Sequence, residues 1–166
     1  MRKSLPFLLP LMALFLVAGA KKQPESGETV RFYAEGIAGD VNTNPDPVLL
    51  QDPDRKIYRA KIASISERDI VGIYPFQTAD GSIGCLFVLT DAGRVALDRL
   101  TTEKRGSSLT AVVNGRMIIN LSIDQRISDG TLIIPHGMTV QEGLALKRAF
   151  PVVKPPASWL AATPAQ

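Results

Sequence analysis

Few side chains in this 166-residue sequence are of types, and at spacings, that could do chemistry. His136 is the only histidine and Cys85 the only cysteine. A metal centre built on either would need two or three further ligands, and beyond the other of these two the chain has no Cys or His to offer. His136 could be drawn into a triad with Asp129 and one of several serines. No nucleophile-elbow sequence accompanies it, and Pro135-His136-Gly137 reads as a turn. Cys85 lies inside the apolar run Ile83 to Leu89 and reads as a small buried hydrophobe. A lone cysteine makes no internal disulfide. Asp52 and Asp54 have the type and spacing of a paired acid and base, but they sit in a proline-rich loop that reads as solvated. Gly36-x-x-Gly39 lacks the Lys-Ser/Thr that would open a helix behind a phosphate-binding loop. The expectation is a protein with no catalytic, cofactor-binding or metal-binding residues, and not an enzyme.

The N-terminus is expected to be a targeting segment. Arg2 and Lys3 precede an apolar run from Leu5 to Val17, and Ala18-Gly19-Ala20 supplies small residues for a signal peptidase. The run has 13 residues, against the roughly 20 that span a bilayer, and Pro6 and Pro10 weaken it as a helix. Residues 1–20 are therefore read as a signal peptide cleaved after Ala20, with a retained anchor as the alternative. The location expected is periplasmic or secreted. No second apolar span follows, so no stable membrane span is expected after cleavage. Without Arg2 and Lys3 the chain has 17 basic and 16 acidic residues in no blocks, which leaves no electrostatic footprint for nucleic acid.

Residues 21–28 are polar and read as a flexible leader. Residues 29–150 hold the elements of one α+β domain, and residues 151–166 form a tail with Pro151, Pro155, Pro156 and Pro164, expected to be extended or disordered. Thr29 to Ala34 alternates as a first strand. Gly36 to Lys56 reads as a long loop, with room for a brief edge strand at Val48 to Leu50. Ile57 to Ile65 predicts a strand ending near Ile62 or Ala63, and Ser66 to Ile70 a single capped helical turn. Val71 to Gln77 is extended but interrupted by Pro75, hence an edge or a bulge. Ala79 to Ser82 turns it into Ile83 to Thr90, apolar nearly throughout and expected to be central. A helix follows over Asp91 to Arg105, capped by Thr90 or Asp91 and stopped by Gly106. Its apolar stripe is read as Ala92, Val95, Ala96 and Leu100, with Leu97 beside it. Leu109 to Val113 and Met117 to Leu121 flank Asn114-Gly115, the strongest short hairpin signal. Thr131 to Ile134 predicts a short strand ended by Pro135-His136-Gly137. Thr139-x-x-Glu142 is a full capping box for a last helix reaching about Ala149. Its buried side is read as Val140 and Leu144, with Gly143 and Lys147 alongside. A mostly antiparallel sheet with both helices on one face follows from this order.

The same order resembles the head of the first periplasmic domain of SecD, the accessory subunit of the bacterial protein-export machinery. The residues that carry the resemblance are Ser66-Glu67-Arg68-Asp69-Ile70, Leu89-Thr90 with Ala92-Gly93, and Thr101-Thr102 through Gly106. Ala111-Val112-Val113-Asn114-Gly115-Arg116 matches the family's hairpin with Asn in place of Asp. Arg126 to Gly130, Ile133-Ile134, Gly137, Thr139 and Glu142 complete the set, over roughly Ile57 to Phe150. Two departures matter. Ile119-Asn120-Leu121 replaces the family's Ser-Ala-Pro, and neither SecD's acidic membrane spans nor its ferredoxin-like base is recognisable.

The resemblance implies a SecD-head-like fold that contacts extended polypeptide. The expected function is an exported, non-enzymatic interaction module acting on exported polypeptides or translocon components. The hairpin residues Asn114, Gly115 and Arg116, and Trp159 and Leu160 in the tail, are the candidate contacts. Trp159 and Leu160 could equally tuck onto the domain or dock to a partner. A second reading stays open, an exported small-ligand binder or hydrolase with a pocket that the sequence does not reveal.

Overall fold

Positive φ at Asn114 and Gly115 closes a two-residue hairpin, as the Asn-Gly pair demands. In this computed structural model, which describes residues 27–48 and 56–155, that hairpin joins two of eight strands. In chain order these are β1 (Val30–Ala34), β2 (Thr43–Val48), β3 (Ile57–Ala60), β4 (Ile70–Gln77), β5 (Ile83–Leu89), β6 (Ser108–Val113), β7 (Arg116–Ser122) and β8 (Thr131–Met138). Helix α1 is Asp91–Glu103 and helix α2 is Val140–Ala149, and Glu67–Asp69 makes a short 3-10 turn.

The strands divide into three antiparallel sheets, ordered β1-β6-β7, β2-β3 and β4-β5-β8. The class is α+β. The two three-stranded sheets share one core. Val30 and Phe32 from β1 and Leu109, Ala111 and Val113 from β6 meet Cys85, Phe87 and Leu89 from β5 and Leu132 and Ile134 from β8. The rings of Phe32 and Phe87 cross edge-to-face, with centroids 5.6 Å apart, joining one sheet to the other.

Both helices meet one face of β5. A Cβ on Gly143 of α2 would lie 3.0 Å from Ile83, and one on Gly93 of α1 would lie 3.1 Å from Leu89. Ile83, Cys85, Phe87 and Leu89 alternate onto that face, and Leu97 and Leu146 of the helices are buried in the same cluster.

Several elements depart from what the sequence predicts. The stripe of α1 that enters the core is Gly93, Leu97 and Thr101, with Leu100 partly buried, while Ala92, Val95 and Ala96 face outward. The stripe is hard to read because two of its members are not apolar letters. Gly93 permits close approach to β5. Thr101 is made compatible with burial by donating to the Leu97 carbonyl at 2.8 Å and accepting from the Ile127 N–H at 2.9 Å. In α2 the buried residues are Gly143 and Leu146, and Val140 and Leu144 lie exposed.

Part of the expected 36–56 loop is strand β2, despite Pro45 and Pro47. Its register with β3 breaks between Thr43 and Pro47, an irregularity that accommodates prolines at an edge. Strand β3 ends at Ala60, short of the predicted end. Ile65 forms an isolated bridge to Phe32 further on. Strand β8 does not end at Ile134 but continues through Pro135-His136-Gly137 to Met138. Those three residues face Gly84 alone on β5, a bulge that absorbs the missing N–H of Pro135. The first residues of the tail are ordered against the sheet. Ile73 donates its N–H to the Pro151 carbonyl and accepts from the Val153 N–H, both at 2.9 Å, which makes a parallel bridge from Ile73 to Val152. Gly72 makes room for it, since a Cβ there would lie 2.4 Å from Val153.

Candidate functional site

Helix α2 has two apolar faces, and only one is consumed by the core. Val140, Gly143, Leu144 and Lys147 follow the i, i+3, i+4, i+7 spacing of a single stripe. Gly143 draws the helix onto Ile83. The rest of the stripe is left as a wall. Val140 is 55% and Leu144 51% exposed. Across from it stand Pro75, Phe76 and Gln77 of β4, with Ile83 of β5 as the floor. Together they line an open groove of about 200 Å³.

Its chemistry is simple. Pro75, Phe76, Ile83, Val140 and Leu144 offer apolar surface; among the described residues Lys147 is the one charged residue lining it, and no carboxylate, histidine or cysteine does. β4 is the edge strand on this side. Ile73 turns its N–H and C=O outward to the tail, so by alternation the C=O of Pro75 and the N–H and C=O of Gln77 also turn toward the groove. Such a groove can seat an extended segment through side-chain burial, with backbone pairing limited at Pro75, which has no N–H.

A wider depression lies on the far side of Leu144, lined by Asn114, Thr139, Gln141, Glu142, Leu144, Ala145 and Arg148, with a volume of about 610 Å³. Of the hairpin candidates, Asn114 lines this depression and Gly115 and Arg116 do not. Asn114 accepts from the Thr29 N–H at 2.9 Å and donates to the Glu28 carboxylate. Arg116 donates to Glu142 at 2.5 and 2.9 Å and to the Gly137 carbonyl at 3.0 Å. Glu142 also closes the capping box, accepting from the Thr139 N–H at 2.7 Å. Burial works against the ionised form of Glu142, but the bonds from Arg116 and Thr139 outweigh it and hold its pKa below the usual glutamate value. Asn114 and Arg116 thus anchor the hairpin turn to residues 28–29 and to α2. Trp159 and Leu160 lie outside the described residues, as do Asp52 and Asp54.

His136 is exposed on the β8 bulge and lines neither depression. Cys85 is fully buried in the core. Among the described residues no group of three His, Cys, Asp or Glu could hold a metal ion. Among them too, no helix is long and apolar enough to cross a membrane. The groove itself escaped the sequence reading because Val140 and Leu144 looked like core. The one available signal was that α2 carries more apolar positions than a single buried stripe needs.

No protein-family model and no curated protein sequence matches this chain. Among solved structures it is similar to SecDF, described as a membrane component that enhances protein export. That likeness has 15% identity and a TM-score of 0.51, and covers 78% of this chain and 68% of the other. A second is SecDF in its super-membrane-facing form, at 18% identity and a TM-score of 0.49, covering 73% of this chain and 18% of that one. The first likeness shows a SecD-like fold.

Proposed function

We propose that this protein is a non-enzymatic, protein-export-related module that binds extended polypeptide segments in the groove between α2 and the edge of β4. The observation that carries this reading is the groove. On a SecD-like fold, it exposes Val140 and Leu144 beside an edge strand, with no histidine, cysteine or carboxylate among its described lining residues. Such a surface suits apolar side chains of an unfolded chain in transit more than a reacting small molecule. The context of the likeness, a protein that enhances export, supplies the class of client, namely exported polypeptides near the translocon. A periplasmic or secreted location belongs to the same proposal.

The test is in-cell photocrosslinking from position 144, with a matched probe at Val95 on the exposed face of α1 as control. Adducts to several exported polypeptides or to translocon subunits at 144, and not at 95, support the reading. Equal yields at both positions, or none at 144 with the protein folded and exported, overturn it.

A further inference from the structure

Residues 151–153 run beside β4 in the same direction as β4 itself. Val152 is level with Ile73. Carried forward, that register sets Pro155 level with Phe76, at the mouth of the groove lined by Pro75, Phe76, Gln77, Val140 and Leu144. Backbone pairing cannot carry the chain further by itself, because Pro75 offers no N–H and Pro155 and Pro156 offer none in return. Burial of side chains is what remains. The sequence beyond Pro155 holds two large apolar residues, Trp159 and Leu160, in an otherwise small and polar stretch. Four residues of extended chain span at most roughly 14 Å, so an indole at position 159 starts within reach of Val140 and Leu144.

We propose that the groove between α2 and β4 is the docking site of this chain's own 156–166 segment, with Trp159 as its anchor. Gly72 and the Ile73 bridge aim the segment, Leu144 and Val140 receive the indole, and the groove is self-occupied until a competitor displaces the segment. This does not rest on the polypeptide-binding reading, since docking is measured on the purified chain alone.

The chain has one tryptophan, so its intrinsic fluorescence reports on position 159 without labelling. The expected result is emission shifted to the blue of a water-exposed indole and poorly quenched by acrylamide. Leu144→Glu should return both to solvent-exposed values, whereas Val95→Glu on α1 should change neither. Leu144 is half exposed, so its substitution should leave the melting curve near that of the parent chain. If the variant does not fold, deletion of 156–166 gives the same information, since it must shift the NMR signals of the Leu144 methyl groups. A separate 156–166 peptide should compete only near millimolar concentration, because a short tether holds its own copy at about that effective concentration. A fully quenched, red-shifted Trp159 in the parent chain overturns the proposal. So does a shielded Trp159 indifferent to Leu144→Glu, or shielding that disappears on dilution, which would place the segment in a second copy.

Discussion

Cys85 and Asp80 show how differently two titratable groups on neighbouring turns of chain behave. Cys85 is buried between β4 and β8, and burial pushes its thiol up to about 12. The thiolate is the reactive form, so the native protein should resist thiol reagents at mildly alkaline pH. Labelling should follow unfolding, and a labelling rate unchanged by denaturant would contradict this. Asp80 sits on the β4–β5 turn, where its carboxylate accepts from the Thr78 hydroxyl and from the Ser82 N–H and hydroxyl at 2.9 and 2.7 Å. Those bonds lower its pKa from 3.8 to about 2. A carboxylate with a depressed folded pKa stabilises above its unfolded pKa, and the contribution fades as pH falls through the folded one. The Asp80→Asn variant should therefore lose part of the parent's decline in stability between about pH 4 and pH 2. Chemical denaturation at both pH values measures it, and parallel pH profiles would sink the idea. Both residues were legible in the sequence, one as a small apolar letter in a strand, the other as a turn former beside Gly81. What the sequence could not show was the set of donors around Asp80, because turn composition does not say which oxygen each hydroxyl reaches.

Glu142 is where local and long-range structure meet at the scale of elements. It caps α2 through Thr139 and ties α2 to the β6–β7 hairpin through Arg116. Glu142→Ala should remove the reciprocal half of the capping box and the ion pair together, at a cost of about 1–2 kcal/mol. Arg116→Ala leaves the cap intact and should cost less, about 0.5–1 kcal/mol, because the arginine is half exposed. A double-mutant cycle on the pair isolates their coupling, and additive losses would show that the hairpin is held by Gly137 and residues 28–29 instead. The capping box and the Asn-Gly turn were both readable because each is a local rule with its partners in the same few residues. Helix faces were not. The stripe of α1 depends on a glycine and a threonine at Gly93 and Thr101, acceptable only because Asp69 and Ile127 arrive from elsewhere in the chain, the first packing closely on Gly93 and the second donating its N–H to Thr101. Strand β2 was missed for a similar reason. Pro45 and Pro47 argue against a strand until β3 is seen to pair around them with broken register.

At the scale of the whole molecule the question is whether the two three-stranded sheets form one cooperative unit. The order of elements, and hence the SecD-like character, could be read along the chain. The partition into β1-β6-β7 and β4-β5-β8 could not, because β1 joins β6 across the whole of the intervening residues 35–107. That closure leaves Phe32 and Phe87 facing each other in the shared core, both fully buried. Phe87→Ala should cost about 3–5 kcal/mol, a large share of the roughly 5–15 kcal/mol that a domain has in total. The location of the loss is more telling than its size. Phe87 belongs to β5, yet its ring makes a T-shaped contact with Phe32 of β1 and the cluster it completes includes Leu109 and Val113 of β6. If the sheets unfold as one body, amide exchange in β6 should accelerate as much as in β5. Hydrogen exchange on the variant reads this strand by strand. Acceleration confined to β4, β5 and β8 would mean that β1-β6-β7 holds together without its neighbour, and that the Phe32–Phe87 contact joins two separately stable halves.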